Sequence, residues 1–209
     1  MKMALKQDSV VIRQMIRSDL DRIVETHLES FPGFFLSFLG SRFLTLLYRG
    51  VLADAQGISL VACSNNRVDG FVVGVVEQRG FYRNLIRKQW WKFGFAAIGA
   101  VLRRPMIIPR LLRALKQPES VGECCAAACL MSIAVHPRAE GRGLGRTLVE
   151  AFSAEARRRG LKAYCLTTDR DGNDRVNRSY QRLGFRLGRT YVTPEGRATN
   201  EYVISLESQ

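Results

Sequence analysis

The sequence predicts an α/β protein in which helices flank a mixed central β-sheet. Apolar runs of strand length recur along the chain between segments of helical periodicity. One such run, 131–135, is followed by three alternating glycines and an amphipathic helix, a strand–loop–helix unit typical of this class. The 209 residues, 46% of them hydrophobic, suffice for one buried core. We therefore expect a single domain over residues 1–209.

The chain begins with a predicted strand over 10–15 and a helix that follows Ser18. Asp21, three positions after Ser18, completes a capping-box pattern for that helix. Pro32-Gly33 should end it, and a second helix is predicted over 34–52. The apolar face of the first helix consists of Leu20, Ile23, Val24, His27, Leu28 and Phe31.

Two strands are predicted next, over 58–64 and 68–77, with a turn at Asn65-Asn66. Glu77 ends the second strand, where its carboxylate could face a cleft or solvent. Residues 79–121 then form a predicted helical insertion between the third and fourth strands.

The insertion contains Trp90 and Trp91 close to several lysines and arginines. Its apolar run, 93–102, is shorter than the ~20 residues that span a bilayer. Segment 88–104 suits an amphipathic helix on a membrane surface. It also suits a helix packed on the sheet, a homodimer contact, or a lid over an acceptor site.

The fourth strand leads into a predicted anion-binding loop. Strand 131–135 ends at His136-Pro137, the loop places glycine at 141, 143 and 145, and a helix continues to Gly160. The first N–H groups of a helix have no intrahelical partner, and glycine lets a bulky anion approach them. Arg142 and Arg146 add positive charge. A tight turn alone would also use these glycines, so the steric explanation stays open.

A strand over 163–168, a helix and a closing hairpin complete the predicted sheet. The hairpin strands are 185–192 and 198–206, around Thr193 to Gly196.

The net charge of +13 indicates an anionic partner. Nucleic acid, an anionic membrane surface or a phosphate-bearing substrate would each fit, although no specific nucleic-acid-binding motif is present. The five cysteines lack metal-ligand spacing, and the N-terminus lacks the apolar run of a signal peptide. We therefore expect reduced thiols and a cytoplasmic protein.

Two motifs resemble the GNAT superfamily of N-acyltransferases. The first, Val135-His136-Pro137 followed by 140–145, resembles the acyl-CoA-binding pattern Gln/Arg-x-x-Gly-x-Gly/Ala, with Glu140 replacing the usual first residue. The second, residues 173–185, resembles N-x-x-(A/V)-N-x-x-Y-x-x-x-G-F. The resemblance implies a splayed central sheet.

The resemblance also implies acetyl-CoA as cosubstrate, no metal, and acetyl transfer to a primary amine by direct attack in a ternary complex. Tyr180 would be the general acid. The resemblance leaves the base open: Asp169 is our first choice, ahead of Asp171, Glu77 and His27, acting directly or through water. An amine that arrives partly deprotonated would need no dedicated base. Acceptor contacts would include Phe31, His27 and Glu77, although Phe31 and His27 also fit a simple core. Residues implied to bind the cosubstrate are Ile133, Ala134, Val135, Gly141, Arg142, Gly143, Leu144, Gly145, Arg146, Asn173 and Asn177. For Asn173 and Asn177 the alternative is a cap at the start of the following helix.

The acceptor implied by this chemistry is a small-molecule or phosphate-bearing amine, such as an amino sugar, or a protein amino group. A non-catalytic module that binds acyl-CoA or nucleic acid on the same scaffold is the alternative.

Overall fold

The computed structural model describes residues 10–65, 67–103 and 126–207, which form a seven-stranded sheet in the order β1-β2-β3-β4-β5-β7-β6. Neighbouring strands are antiparallel except β4 and β5, which are parallel. The strands are β1 (Val11–Gln14), β2 (Gly57–Ser64), β3 (Arg67–Val75), β4 (Ala128–Val135), β5 (Ala163–Asp169), β6 (Arg186–Val192) and β7 (Ala198–Ser205). The helices are α1 (Leu20–Ser30), α2 (Phe35–Leu39), α3 (Ser41–Ala53), α4 (Phe81–Lys88), α5 (Trp90–Arg103), α6 (Leu144–Arg158) and α7 (Asp174–Arg182). The predicted α/β class with a mixed, helix-flanked sheet is confirmed.

Two apolar cores lie on opposite faces of this sheet. Successive residues of β3 alternate between them, since side chains along a strand point to opposite sides. Phe71 and Val73 belong to the core on the side of α1 and α3, whereas Val72 belongs to the core that contains Leu148 and Phe152 of α6. The buried apolar face predicted for α1 is confirmed, because Leu20, Ile23, Val24 and His27 are buried and Leu28 and Phe31 pack against the first core.

Strands β4 and β5 separate along their length. Their pairing covers only the start of β4, from Ala128 to Leu130. Beyond it, β4 stays paired with β3 as far as Val135, and β5 stays paired with β7 as far as Asp169. A β-bulge leaves Met131 outside the β3–β4 register at the point where the separation begins. The sheet is therefore split into a V between two parallel strands.

The predicted helix starts and ends require two corrections. Ser18 does not cap α1; instead the carboxylate of Asp19 accepts a hydrogen bond from the Ile16 backbone N–H at 2.8 Å and pairs with Arg13. The predicted second helix is two helices, because Gly40 (φ 91°) interrupts it between α2 and α3. A positive φ is inexpensive for glycine, whereas α-helical residues need a negative φ.

The predicted insertion contains α4 and α5, and its residues from 104 onward lie outside the described part of the chain. Across the described ranges, no helix is long and apolar enough to cross a membrane. Cys63 and Cys129 are free buried thiols, as expected. Cys165 is disulfide-bonded, so the expectation of reduced cysteines is wrong there.

Candidate functional site

The open part of β4 directs backbone N–H groups into the V. The His136 N–H donates to the Asp69 carbonyl at 2.8 Å, which makes these residues a hydrogen-bonded pair of the antiparallel ladder. Such pairs alternate with pairs whose polar groups face away from the partner strand. Ile133 and Val135, which stand opposite Val72 and Gly70, are therefore oriented toward the side from which β5 has separated. An extended ligand could pair with this edge as an added strand would.

The V leads directly to the start of α6. Gly141 (φ 77°) and Gly143 (φ 76°) adopt left-handed conformations, and a Cβ atom built on either would meet no heavy atom within 4 Å. The first helical hydrogen bond runs from the Thr147 N–H to the Gly143 carbonyl at 3.2 Å. The N–H groups of Leu144, Gly145 and Arg146 precede it, so they form the partly positive start of the helix. Because no heavy atom blocks the glycines, an anion such as a phosphate could approach these N–H groups.

Asp69, at the start of β3, holds this loop in place. Its buried carboxylate accepts hydrogen bonds from Ser64 and from Arg138, the latter at 3.0 Å. A nitrogen of Arg142 lies 3.7 Å away. Burial disfavours the charged form, but the hydrogen bonds from Ser64 and Arg138 outweigh it and lower the pKa of Asp69. Sequence reasoning missed this residue, although a carboxylate heading a buried strand is itself unusual.

Tyr180 lies on α7, on the same face of the sheet as α6. Its ring packs against Phe185 and Tyr202, with centroid distances of 5.5 and 6.1 Å. Burial raises the pKa of Tyr180 to about 12. Among the described residues the hydroxyl has no hydrogen-bond partner. Tyr180 is therefore a protonated phenol at neutral pH whose donor is available.

The side chain of Asn177 is hydrogen-bonded within the protein and not free for the predicted contact with the cosubstrate. Its amide nitrogen donates to the carbonyls of Asp169 and Asn173, both at 2.9 Å. Its oxygen accepts from Asn200 and from the Tyr202 hydroxyl, both at 3.0 Å. An asparagine amide has two donors and two acceptor positions, so all four are used. Asn177 therefore fastens the β5–α7 turn to β7 and has no capacity left for a ligand.

Asn173 and Asp169 also make internal contacts. Asn173 donates to the Thr168 hydroxyl at 2.7 Å. The carboxylate of Asp169 pairs with Arg197, whose Nη2 lies 2.5 Å from Oδ1. The Arg197 guanidinium also stands 4.8 Å from the ring centroid of Phe34. The β6–β7 turn therefore meets the α1–α2 loop at the end of β5.

A buried hydrogen-bonded chain connects α1 to β4 on the other face of the sheet. His27 Nδ1 lies 2.6 Å from the Tyr48 hydroxyl, which lies 3.3 Å from the Ser132 hydroxyl beside the bulge. Burial lowers the pKa of His27 to about 4, so the ring is neutral at pH 7. Its Nε2 is buried without a hydrogen-bond partner within the described ranges. Phe31 packs on the imidazole at 4.9 Å.

The two remaining predicted contact residues, Glu77 and Arg146, make contacts within the protein. Glu77 follows the end of β3, and its carboxylate accepts from the Arg79 N–H at 3.1 Å. Since Val75 stands opposite Cys129 and Glu77 is two residues farther on, Glu77 lies about 25 Å along β4 from Val135. Arg146 pairs with Glu150 on the exposed surface of α6 at 2.7 Å.

One group of side chains has atoms close enough to share a cation. Glu25, Glu29 and His136 place one ligand atom each within 4.8 Å of one another. The two carboxylates are solvent-exposed, and Glu25 also pairs with Arg22. Exposed acidic groups commonly cluster in this way without a metal, so we assign no metal site here.

These features define a class of site: a V between two parallel strands, open to an extended ligand, that leads to unpaired N–H groups at the start of a helix. The model of the acetyltransferase (GNAT) family matches residues 20–185. The chain therefore belongs to the GNAT acetyltransferase family, and the resemblance predicted from sequence is confirmed. No match to this chain was found among curated proteins.

Solved structures share this fold at low sequence identity. The ribosomal-protein-S18-alanine N-acetyltransferase of Escherichia coli is 16% identical, with 96% of each chain covered and a TM-score of 0.58. Ard1 from Thermoplasma volcanium is 15% identical, with 95% of this chain and 99% of that chain covered and a TM-score of 0.63. The yncA protein of Salmonella typhimurium, solved with its cofactor acetyl-CoA, is 16% identical, with 96% of each chain covered and a TM-score of 0.60. At such identities the likeness concerns the fold alone.

Proposed function

We propose that this acetyltransferase acts in the cytoplasm and transfers an acetyl group from acetyl-CoA to a primary amine by direct attack in a ternary complex. The observation that carries the proposal is the continuity of two backbone surfaces. The open edge of β4 at Ile133 and Val135 runs into the glycine loop and the start of α6. An acyl-CoA has the matching order of groups: a thioester, an amide-bearing arm and a diphosphate.

Acetyl-CoA supplies the activated acyl group, and the chain supplies its positioning. In this proposal the N–H groups at Ile133 and Val135 hold the amide-bearing arm. One of these donors also faces the thioester oxygen, where negative charge grows during attack. A donor placed in this way is typically worth about 3 kcal/mol of barrier, or roughly 100-fold in rate. The start of α6 and Arg142 hold the diphosphate.

Tyr180 is the proposed general acid. When the amine nitrogen bonds to the acyl carbon and the carbon–sulfur bond breaks, the departing thiolate needs a proton. The Tyr180 hydroxyl is protonated at neutral pH and has a free donor, which supports this role. A positioned acid of this kind typically contributes 10²- to 10⁴-fold in rate.

The proton of the attacking amine passes to water in this proposal. Asp169, the first choice of base from sequence, is held in an ion pair with Arg197. His27 accepts protons weakly, because its pKa is about 4. We therefore assign Asp169 and His27 to the walls of the acceptor side, with Phe31 and Phe34. The aromatic rings and the Arg197 guanidinium favour a phosphate-bearing amino sugar over a bare polyamine.

Release of the free thiol of CoA by the full chain tests the proposal. The amine panel should contain glucosamine, a glucosamine phosphate, a nucleotide-linked amino sugar, spermidine and a peptide with a free N-terminus. We expect turnover with at least one amine and a fall of about 100-fold in kcat for Tyr180→Phe.

Tyr164→Phe is the matched control for that variant. The Tyr164 hydroxyl bonds to Ser153 at 2.8 Å inside the core, on the part of β5 that is still paired with β4. Its loss should cost stability and leave kcat unchanged. Absence of thiol release with every amine, together with no calorimetric binding of acetyl-CoA, would overturn the enzymatic proposal. Acetyl-CoA binding without turnover would instead indicate a binding module.

A further inference from the structure

Helix α5 has two apolar faces, and only one of them is buried. Phe93 and Ala97 are buried, and the Phe93 ring packs edge-on against Phe43 of α3 with 5.0 Å between centroids. This face joins α5 to the core that α1 and α3 share. Through this face α5 packs against α2 and α3.

The opposite face carries four large apolar side chains, which we name the apolar stripe: Trp91, Phe95, Ile98 and Leu102. Their spacing of four, three and four residues places them within about 60° on a helix that advances about 100° per residue. The side chain of Phe95 is 69% exposed and that of Leu102 is 78% exposed. Trp90, at the start of the helix, is 70% exposed. A helix that is apolar all round is normally covered, so this stripe requires an occupant.

The sequence on both sides of the apolar stripe is basic. Between Glu77 and Glu119 the sequence has ten lysine or arginine residues and no acidic residue. Lys92 Nζ stands 5.3 Å from the Trp91 ring centroid. A groove of about 460 Å³ runs between α3 and α5, with Arg42 and Lys92 beside the apolar side chains of Leu46 and Phe95. The occupant of the apolar stripe should therefore carry both apolar groups and negative charge.

We propose that the apolar stripe docks this chain on the surface of an anionic phospholipid membrane. Tryptophan and phenylalanine insert at the boundary between headgroups and acyl chains, while lysine and arginine contact the phosphates. The 14 residues of α5 are about 21 Å long, less than the ~30 Å of a bilayer core, so the helix would lie along the surface.

The other occupants fit less well. A second copy of the chain packed symmetrically on the stripe would bring the same basic region against itself, and like charges facing each other oppose association. Nucleic acid would neutralise the cations but would leave the stripe exposed to water. An anionic bilayer surface satisfies both features together.

Tryptophan fluorescence can report on the docking of the apolar stripe. Trp90 and Trp91 are its two tryptophans, so all of its tryptophan fluorescence comes from the start of α5. With vesicles of phosphatidylcholine containing about 30% phosphatidylglycerol, we expect co-sedimentation and a blue shift of the emission. Pure phosphatidylcholine vesicles should bind at least about tenfold more weakly, and added salt should reduce binding to the anionic vesicles.

Two matched double variants distinguish insertion of the apolar side chains into the membrane from electrostatic attraction alone. Phe95→Asp with Leu102→Asp removes two side chains of the apolar stripe. Val11→Asp with Val192→Asp makes the same charge change at exposed apolar positions on other elements. We expect the first pair to weaken partition at least about tenfold and the second less than about threefold, with unchanged circular dichroism in both.

Three results would overturn the proposal. The first is no partition of the unaltered chain to anionic vesicles. The second is equal weakening by the two double variants, since that would indicate charge attraction without insertion. The third is a dimer in light scattering that only the first double variant dissociates, which would make a second copy the occupant. None of these depends on acetyl transfer, so this inference and the proposed function can fail separately.

Discussion

Arg197 in the β6–β7 turn lies over the ring of Phe34 in the α1–α2 loop, 4.8 Å from its centroid. The same guanidinium pairs with Asp169 at the end of β5. Segments more than 160 residues apart in sequence therefore meet beside the V between β4 and β5. This contact lies on the side of the V where we propose that the amine binds.

Replacement of Arg197 tests whether that contact shapes the acceptor side. For Arg197→Ala we expect the KM for the amine to rise by about three- to tenfold, with an unchanged Kd for CoA. The cost in stability should stay below about 1 kcal/mol, because the ion pair and the cation–π contact are both partly exposed. Arg186→Ala, at the other end of β6, is the control. A change in CoA affinity equal to the change in amine KM would contradict the assignment.

Two glycines with the same backbone conformation allow a matched test of the phosphate loop. Gly143 has φ 76° and Gly160, at the opposite end of α6, has φ 77°. Alanine at either position should cost about 1–2 kcal/mol of stability, because both adopt the left-handed conformation. We expect only Gly143→Ala to weaken CoA binding in calorimetry, by about tenfold, since its new methyl group would stand where the diphosphate approaches. Equal CoA affinities in the two variants would place the phosphates elsewhere.

The pH dependence of turnover tests Tyr180. Because burial raises its pKa to about 12, the hydroxyl stays protonated through neutral and moderately alkaline pH. We expect kcat to show no loss from Tyr180 deprotonation up to about pH 10, as the protonated form predominates below the pKa. The roughly 100-fold deficit of Tyr180→Phe should be constant over that range. A deficit that disappears at pH 8 would indicate that another group protonates the thiolate.

Replacement of Asn177 should lower the stability of the protein more than its catalytic activity. Asn177→Ala leaves Asn200, Tyr202 and two carbonyl groups without their partner, and we expect a loss of about 2–4 kcal/mol in urea unfolding. Asn173→Ala, which removes one partly exposed hydrogen bond, should cost about 1 kcal/mol. If Asn177→Ala retained full stability and lost only CoA affinity, a direct ligand contact would be indicated.

Glu155 gives a pH dependence of stability. Hydrogen bonds from Arg158 and Arg159, with burial opposing them, lower the pKa of Glu155 to about 2. A folded-state pKa below the unfolded value means that the stabilisation is complete above about pH 4.5 and is lost as the pH falls toward 2. We expect Glu155→Gln to cost about 1–2 kcal/mol at pH 7, reduced by solvent screening at the exposed Arg158. The difference from the unaltered chain should vanish in urea unfolding near pH 2.

Local pattern was enough to predict most elements. The alternation and helical periodicity of the sequence predicted β1 to β7, α1 and α6, each within a few residues of the observed ends. The register of the second motif placed Tyr180 on a helix after β5, as observed. These predictions succeeded because they depend on neighbours along the chain, where periodicity and turn residues act directly.

Helix ends and side-chain partners were less predictable. The start of α1 is set by Asp19, whose carboxylate also binds Arg13, so a cap chosen from spacing alone missed it. Asp69 and Asn177 owe their roles to groups brought from other strands. The fold decides which groups become the hydrogen-bond partners of a side chain, and spacing along the sequence does not reveal those partners.

The sequence by itself determined the family, the order of the strands along the chain and the glycine loop at the start of α6, because each is written in contiguous residues. Only the tertiary structure decided that β4 and β5 separate after Leu130, that Asn177 is occupied internally and that one face of α5 stays exposed. The physical reason is that pairing, burial and hydrogen-bond satisfaction depend on which distant groups meet. They are fixed only when the whole sheet and its two helical layers assemble.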